Sequence, residues 1–164
     1  MAIRILSDIS GGLDSFAGTT SITTVGVVAS GTWQSNRLLR TGSSTNSFMG
    51  DYIDYGTATG LAEGKLGQLE TGGSWGETDA SSIAGCSNQL GIKLSNGKIL
   101  VRGMFRLSSA IGQNGTPLYV STTSGGFTAT APSGGGEVVR IVGYTADQNG
   151  NIYFNPSNDW IEIA

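Results

Sequence analysis

Asn-Gly occurs three times in this chain, at Asn96-Gly97, Asn114-Gly115 and Asn149-Gly150, each time between short runs of strand-forming residues. The dipeptide tolerates positive φ at both centres of a tight turn, so it marks a hairpin when apolar residues alternate on either side. With Gly72-Gly73, Gly125-Gly126 and the loop Pro132–Gly136, turn signals recur about every 8 to 12 residues, the spacing of an antiparallel sandwich or barrel. The runs between them have period two. Leu90, Ile92 and Leu94 share one face, and after the turn Ile99, Val101, Gly103, Phe105 and Leu107 return on it, with Lys98, Leu100, Arg102, Met104 and Arg106 opposite. The run from Glu137 reads as three strands, 138–144, 152–154 and 160–163, the first two joined by a type I′ turn at Asn149-Gly150. Strand patterns also fall at 51–60, 65–69, 116–123 and 127–131. The single helical turn expected is 79–84, with Asp79 as its N-cap. The expected fold is all-β, about ten short strands in an antiparallel sandwich or barrel.

Composition narrows the function. The chain has 164 residues, a formal charge of −3 and only 13% charged side chains; its polarity comes from 27 glycines with Ser and Thr. With 38% hydrophobic residues this is not a disordered composition. Histidine is absent, which removes the commonest general base and metal ligand together. Cys86 stands alone, so the fold does not depend on an internal disulfide. Nine scattered Lys and Arg form no nucleic-acid footprint. No apolar run nears the roughly eighteen residues of a membrane span, and the first ten residues do not read as a signal peptide. No cofactor, nucleic-acid partner or membrane is expected.

The N-terminal third reads differently. Residues 1–34 are expected to be an extended arm and strand segment for anchoring and oligomerisation, residues 35–59 a linker with a connecting strand, and residues 60–164 a β domain. Ile3, Ile5 and Leu6 precede Gly11-Gly12, as in a terminal strand that adds to another chain or to the edge of its own sheet. From Ala17 to Gln34 there is no charge, and Ile22, Val25, Val27, Val28 and Trp33 make a segment that would aggregate if bare, so it is expected to be covered. Leu38 and Leu39, between Arg37 and Arg40, form a candidate contact patch ahead of the flexible stretch Thr41–Ser47.

Candidate chemistry is sparse. Asp147, Asn149 and Asn151 resemble the start of a calcium loop, but the ligands such a loop needs do not follow, and a hairpin turn is expected instead. Asp51 and Asp54 project to opposite faces of a strand, which is wrong for paired acid–base work. Nothing singles out Glu63, Glu70, Glu77 or Asp79. Gly134–Gly136 lacks the Lys-Ser/Thr and helix of a phosphate loop. Trp75, Tyr119, Tyr144, Tyr153 and Trp160 remain as aromatics that either fill the core or present rings to a glycan.

Three segments carry a resemblance. TSITTVGVVASGTW (Thr20–Trp33) resembles a Thr-rich stretch of bacteriophage tail-fibre-like proteins. Gly115–Ala164, with GTPLYVST, TAPSG, VRIVGY and IYFNPS in that order, is similar to the C-terminal β domain of phage virion proteins, and GIKLSNGKILVRGMFRLS (Gly91–Ser108) to the strands before it. The resemblance implies a non-enzymatic virion structural protein, homotrimeric, on the outer surface of the particle and made in the host cytoplasm. Fibres with these segments carry a long shaft, and nineteen residues ahead of Thr20 leave no room for one. The expectation is therefore a capsid decoration or cement protein held to the major capsid protein, or another virion protein, by its N-terminal arm. The alternative is a short tail or head fibre whose β domain binds a host surface glycan; a capsule depolymerase is more distant.

Overall fold

A computed structural model of the chain describes residues 44–164, all within one compact unit, Asn36–Ala164. The anchoring candidates Ile3, Ile5, Leu6, Ile22, Val25, Val27, Val28, Trp33, Leu38 and Leu39 lie outside the described residues. The described part is all-β and antiparallel. Its strands are β1 (Phe48–Ile53), β2 (Leu66–Leu69), β3 (Trp75–Glu77), β4 (Leu90–Lys93), β5 (Ile99–Arg106), β6 (Pro117–Val120), β7 (Phe127–Thr128), β8 (Val138–Val139), β9 (Ile141–Thr145), β10 (Asn151–Phe154) and β11 (Ile161–Glu162). Strands β8 and β11 pair alone; the other nine form one sheet.

The eight-residue β5 is the hub. Along one edge it carries β1; along the other, β4 pairs with its start and β10 with its end. Two arms therefore leave β5, one running β4-β2-β3 and the other β10-β9-β6-β7. The sheet is a half-barrel, open but curled. The turn between β6 and β7 reaches the first arm, where Leu66 N–H donates to the Gly125 carbonyl at 3.0 Å and Gly125 N–H to the Thr78 carbonyl at 2.8 Å. Inside the curl lies the main core, with Leu66, Leu90, Ile92, Leu100, Phe105, Leu118, Val142, Ile152 and Phe154 fully buried. A smaller core of Leu61, Trp75 and Ile99 sits on the outer side, where Ala58 joins it from the loop after β1.

Three local expectations need correction. A bulge at Val101 breaks the expected alternation of β5: Asp51 faces Arg102 but Tyr52 faces Leu100. One extra residue flips the phase, so Leu100 shares the main core with Phe105 while Ile99 and Val101 pack in the outer one. The expected strand 138–144 is two strands, broken at the buried Arg140. The Asn149-Gly150 hairpin forms, but only Gly150 has positive φ, so the turn is not type I′. Asp147 organises it instead, its carboxylate accepting Asn149 N–H at 2.8 Å and Asn151 N–H at 3.1 Å.

Segment 35–59, expected as a linker with a connecting strand, contributes β1 to the sheet, starting three residues earlier than its strand pattern indicates. The expected helical turn is a single 3-10 turn, Ile83–Gly85. Asp79 does not cap it; its carboxylate accepts Ser81 N–H at 2.7 Å.

Candidate functional site

Register places one row of large side chains across the outer side of the second arm. Met49 lies opposite Met104, Met104 opposite Tyr153, Tyr153 opposite Tyr144, and Tyr144 opposite Pro117. Opposed residues of an antiparallel pair project from one face, and the neighbouring row, Phe48, Phe105 and Ile152, points into the main core. The outer row is open on either side of the half-buried Met104: Met49 is 41% exposed, Tyr153 42% and Tyr144 46%. Tyr119 on β6 and Ile141, further along β9, are half-buried on the same face. Ile141 then lines a groove of about 200 Å³ with Val139, Trp160 and the exposed Ile161. Of the five candidate aromatics, Tyr144, Tyr153 and in part Tyr119 belong to this face, and Trp160 borders its groove.

Trp75 does not. It is 1% exposed, and its Nε1–H donates to the Tyr55 carbonyl at 2.7 Å, so it has no ring face to offer a sugar. The segment after β1 folds back over it and closes the outer core. Trp75 is a packing residue, the bland one of the two readings open to it.

The row beside the exposed one, one residue away along each strand, carries glycine on β1, β5 and β9. Gly50 faces Gly103, Gly103 faces Phe154, and Phe154 faces Gly143. A Cβ on Gly103 would lie 2.6 Å from the Gly50 Cα and closer still to the Met49 carbonyl oxygen; one on Gly143 would lie 3.0 Å from the Tyr153 carbonyl carbon. The φ angles of Gly103 and Gly143, +140° and +152°, also disfavour a side chain. The backbones approach closely here, which fixes the register that brings Met104, Tyr153 and Tyr144 into line. Alternation alone does not reveal this row, because glycine carries no inward or outward signal.

Several of the acidic groups have local partners. Asp51 pairs with Arg102 at 2.8 Å and Asp54 with Lys98 at 3.6 Å. Glu70 accepts from Ser74, Glu77 from Ser124 and Glu63 from Asn46. Among the described residues no group of three or more acids or thiols is placed to hold a metal ion. Asp147 is spent on its turn. Desolvation pushes its carboxyl up, but hydrogen bonds from the Asn151 amide and from the Asn149 and Asn151 backbone outweigh it, and the pKa lies below the usual value.

Arg140 is 5% exposed and meets no carboxylate among the described residues; its guanidinium donates to the carbonyls of Cys86, Asn88 (2.7 Å) and Ser157 (2.9 Å). It ties the break between β8 and β9 to the 3-10 turn and to the loop after β10. Burial lowers its pKa, which the neighbouring Cys86 partly offsets. The buried Cys86 thiol is raised, by desolvation first and by Asp79, against the opposing pull of Arg140.

Comparison with known proteins finds no matching family model, no matching curated protein and no matching solved structure.

Proposed function

We propose that this chain is a non-enzymatic structural protein of a bacteriophage particle, a decoration or cement protein that binds other virion proteins and its own copies on the outer surface. The observation that carries the reading is the outer apolar face of the second arm, continuous with the edge strand β1, which has no strand partner but β5 among the described residues. Natural sheets blunt bare edges with charge, proline or cover. The one charge on β1, Asp51, is held by Arg102, so the edge is fit to be covered. The resemblance of Thr20–Trp33 and Gly115–Ala164 to phage proteins supplies the setting, with the major capsid protein the expected partner of residues 1–34. Electron cryomicroscopy of the particle tests it: density repeating over the shell is expected. Deletion of residues 1–16 should leave a folded protein that no longer joins particles, and normal incorporation of that form would refute the anchoring role.

A second reading, a short tail or head fibre that binds a host surface glycan, draws on the registered pair Tyr144 and Tyr153, two exposed rings on adjacent strands. It predicts saturable adsorption of the purified protein to host cells. A few copies at the tail or one vertex, with the β domain pointing outward, would favour it over decoration.

A further inference from the structure

We infer that the outer face centred on Met104 and Tyr153 is where two copies of this chain meet, about a two-fold axis running along the strands between β5 and β10. This goes beyond the virion reading, does not depend on it, and departs from the homotrimer that the resemblance implies.

Three observations carry it. The first is the order of the row: Met49, Met104, Tyr153, Tyr144. Rotation about an axis along the strands through its centre reverses the row, setting Met104 of one copy against Tyr153 of the other. Met49 and Tyr144 flank that contact in the same Met-on-Tyr pairing. Thioether–aromatic contact is favourable, so the row complements itself in this orientation. Rotation about an axis along the row would stack methionine on methionine and tyrosine on tyrosine.

The second observation is charge. The face carries Asp51 and Arg102, which are paired with each other, and the half-buried Arg106, which the alternation of β5 places on the side of Met104, opposite Asn151. With its one ion pair neutralised and only Arg106 beyond it, the face meets its own copy with little repulsion, whereas a partner chosen by charge would need a larger excess of one sign.

The third is area. The row exposes on the order of 300 Å², taking roughly 200 Å² for side chains of this size. Tyr119, Ile141, Trp160 and Ile161 extend it. The total approaches the apolar share, a little over half, of the roughly 800 Å² that each partner contributes to a stable interface. Met, Tyr and Trp are also the residues enriched in the buried centres of such interfaces.

Sedimentation of the full-length chain at micromolar concentration should give twice the chain mass. The variant Tyr144→Ser with Tyr153→Ser, both side chains exposed, should keep its far-ultraviolet circular dichroism and thermal midpoint while associating at least tenfold more weakly. Disulfide trapping reads the geometry independently of that variant. Met104→Cys copies mixed with Tyr153→Cys copies should cross-link to each other faster than either cross-links to itself. A monomeric wild type would overturn the inference, and would assign the face to residues 1–43 or to a foreign ligand. A trimer would overturn it too, as would a dimer untouched by the tyrosine substitutions or a trap that favours Met104→Cys with itself.

Discussion

Gly103→Ala is the substitution that most directly tests the close backbone approach beneath the exposed row. The added Cβ meets backbone on the facing strand, the Gly50 Cα at 2.6 Å and the Met49 carbonyl, not the movable end of a side chain. The strand must either separate from β1 or rotate its own peptide planes. Holding a non-glycine residue in this sparsely populated region costs roughly 2 kcal/mol, and forcing an extra carbon into a packed site costs about 2 kcal/mol more. A loss of about 4 kcal/mol follows, which lowers the thermal midpoint by roughly 15 °C in a domain of this size. Gly60→Ala is the internal control. Nothing lies within 4 Å of a Cβ there and the backbone φ is ordinary, so the change should fall within about 0.5 kcal/mol of neutral or stabilise slightly. Urea unfolding followed by tryptophan fluorescence measures both, with an unchanged denaturant slope required for the comparison. If Gly103→Ala loses less than about 1 kcal/mol, the strands are not held this tightly and the register argument fails.

Other expectations are narrower. Arg140→Met removes the donor of three carbonyls and should cost about 3 kcal/mol by thermal unfolding; a change near zero would mean that water replaces the guanidinium freely. Asp147, whose folded pKa is depressed, contributes stability that is fully present above the unfolded value of about 4 and lost as pH falls through the folded one. Stability of Asp147→Ala should therefore converge on wild type below about pH 4 and stay lower above it, and a gap that persists in acid would locate the turn's stability elsewhere. The Cys86 thiol, buried and raised in pKa, should react with a thiol reagent at pH 8 only after unfolding; burst labelling of the native protein would contradict its burial.

How much of this was legible in the sequence follows the distance over which each feature is built. Strands β4 and β5 and strands β9 and β10 are hairpins, announced by Asn96-Gly97 and Asn149-Gly150 and by local alternation. Tyr144 and Tyr153 pair across the second of these, so their proximity could be foreseen. Met49 and Met104 are about fifty residues apart, and their alignment depends on β1 returning to β5, which no local pattern encodes. The Val101 bulge is likewise set by tertiary packing, because Leu100 fits the main core and Ile99 fits beside Trp75. Trp75 was ambiguous for a related reason: what buries it is a loop with no regular pattern, from Tyr55 to Leu61. Arg140 sat in an apparently continuous strand, and only the three carbonyls converging on it show why the strand breaks there.

The glycine row and the Met–Tyr row are two consequences of one arrangement. Residues alternate across each strand, so a row in which backbones must approach closely is followed, one residue on, by a row projecting to the other side. Gly103 and Met104 are such neighbours, as are Gly143 and Tyr144, and Gly50 and Met49. Close approach in the first row limits slippage of β1 against β5 and of β9 against β10, and a one-residue slip would carry every projecting side chain to the opposite face. The outer row is thus presented on a backbone with little freedom to rearrange, which lowers the ordering cost of whatever binds it. A surface needed only for solubility would gain nothing from that rigidity, nor from a methionine and two tyrosines held at 41 to 46% exposure. Gly143→Ala separates the two roles. Because Gly143 underlies Tyr144 and Tyr153, even a variant still folded at 25 °C should weaken association through this face, and unchanged association would show that the two rows act independently.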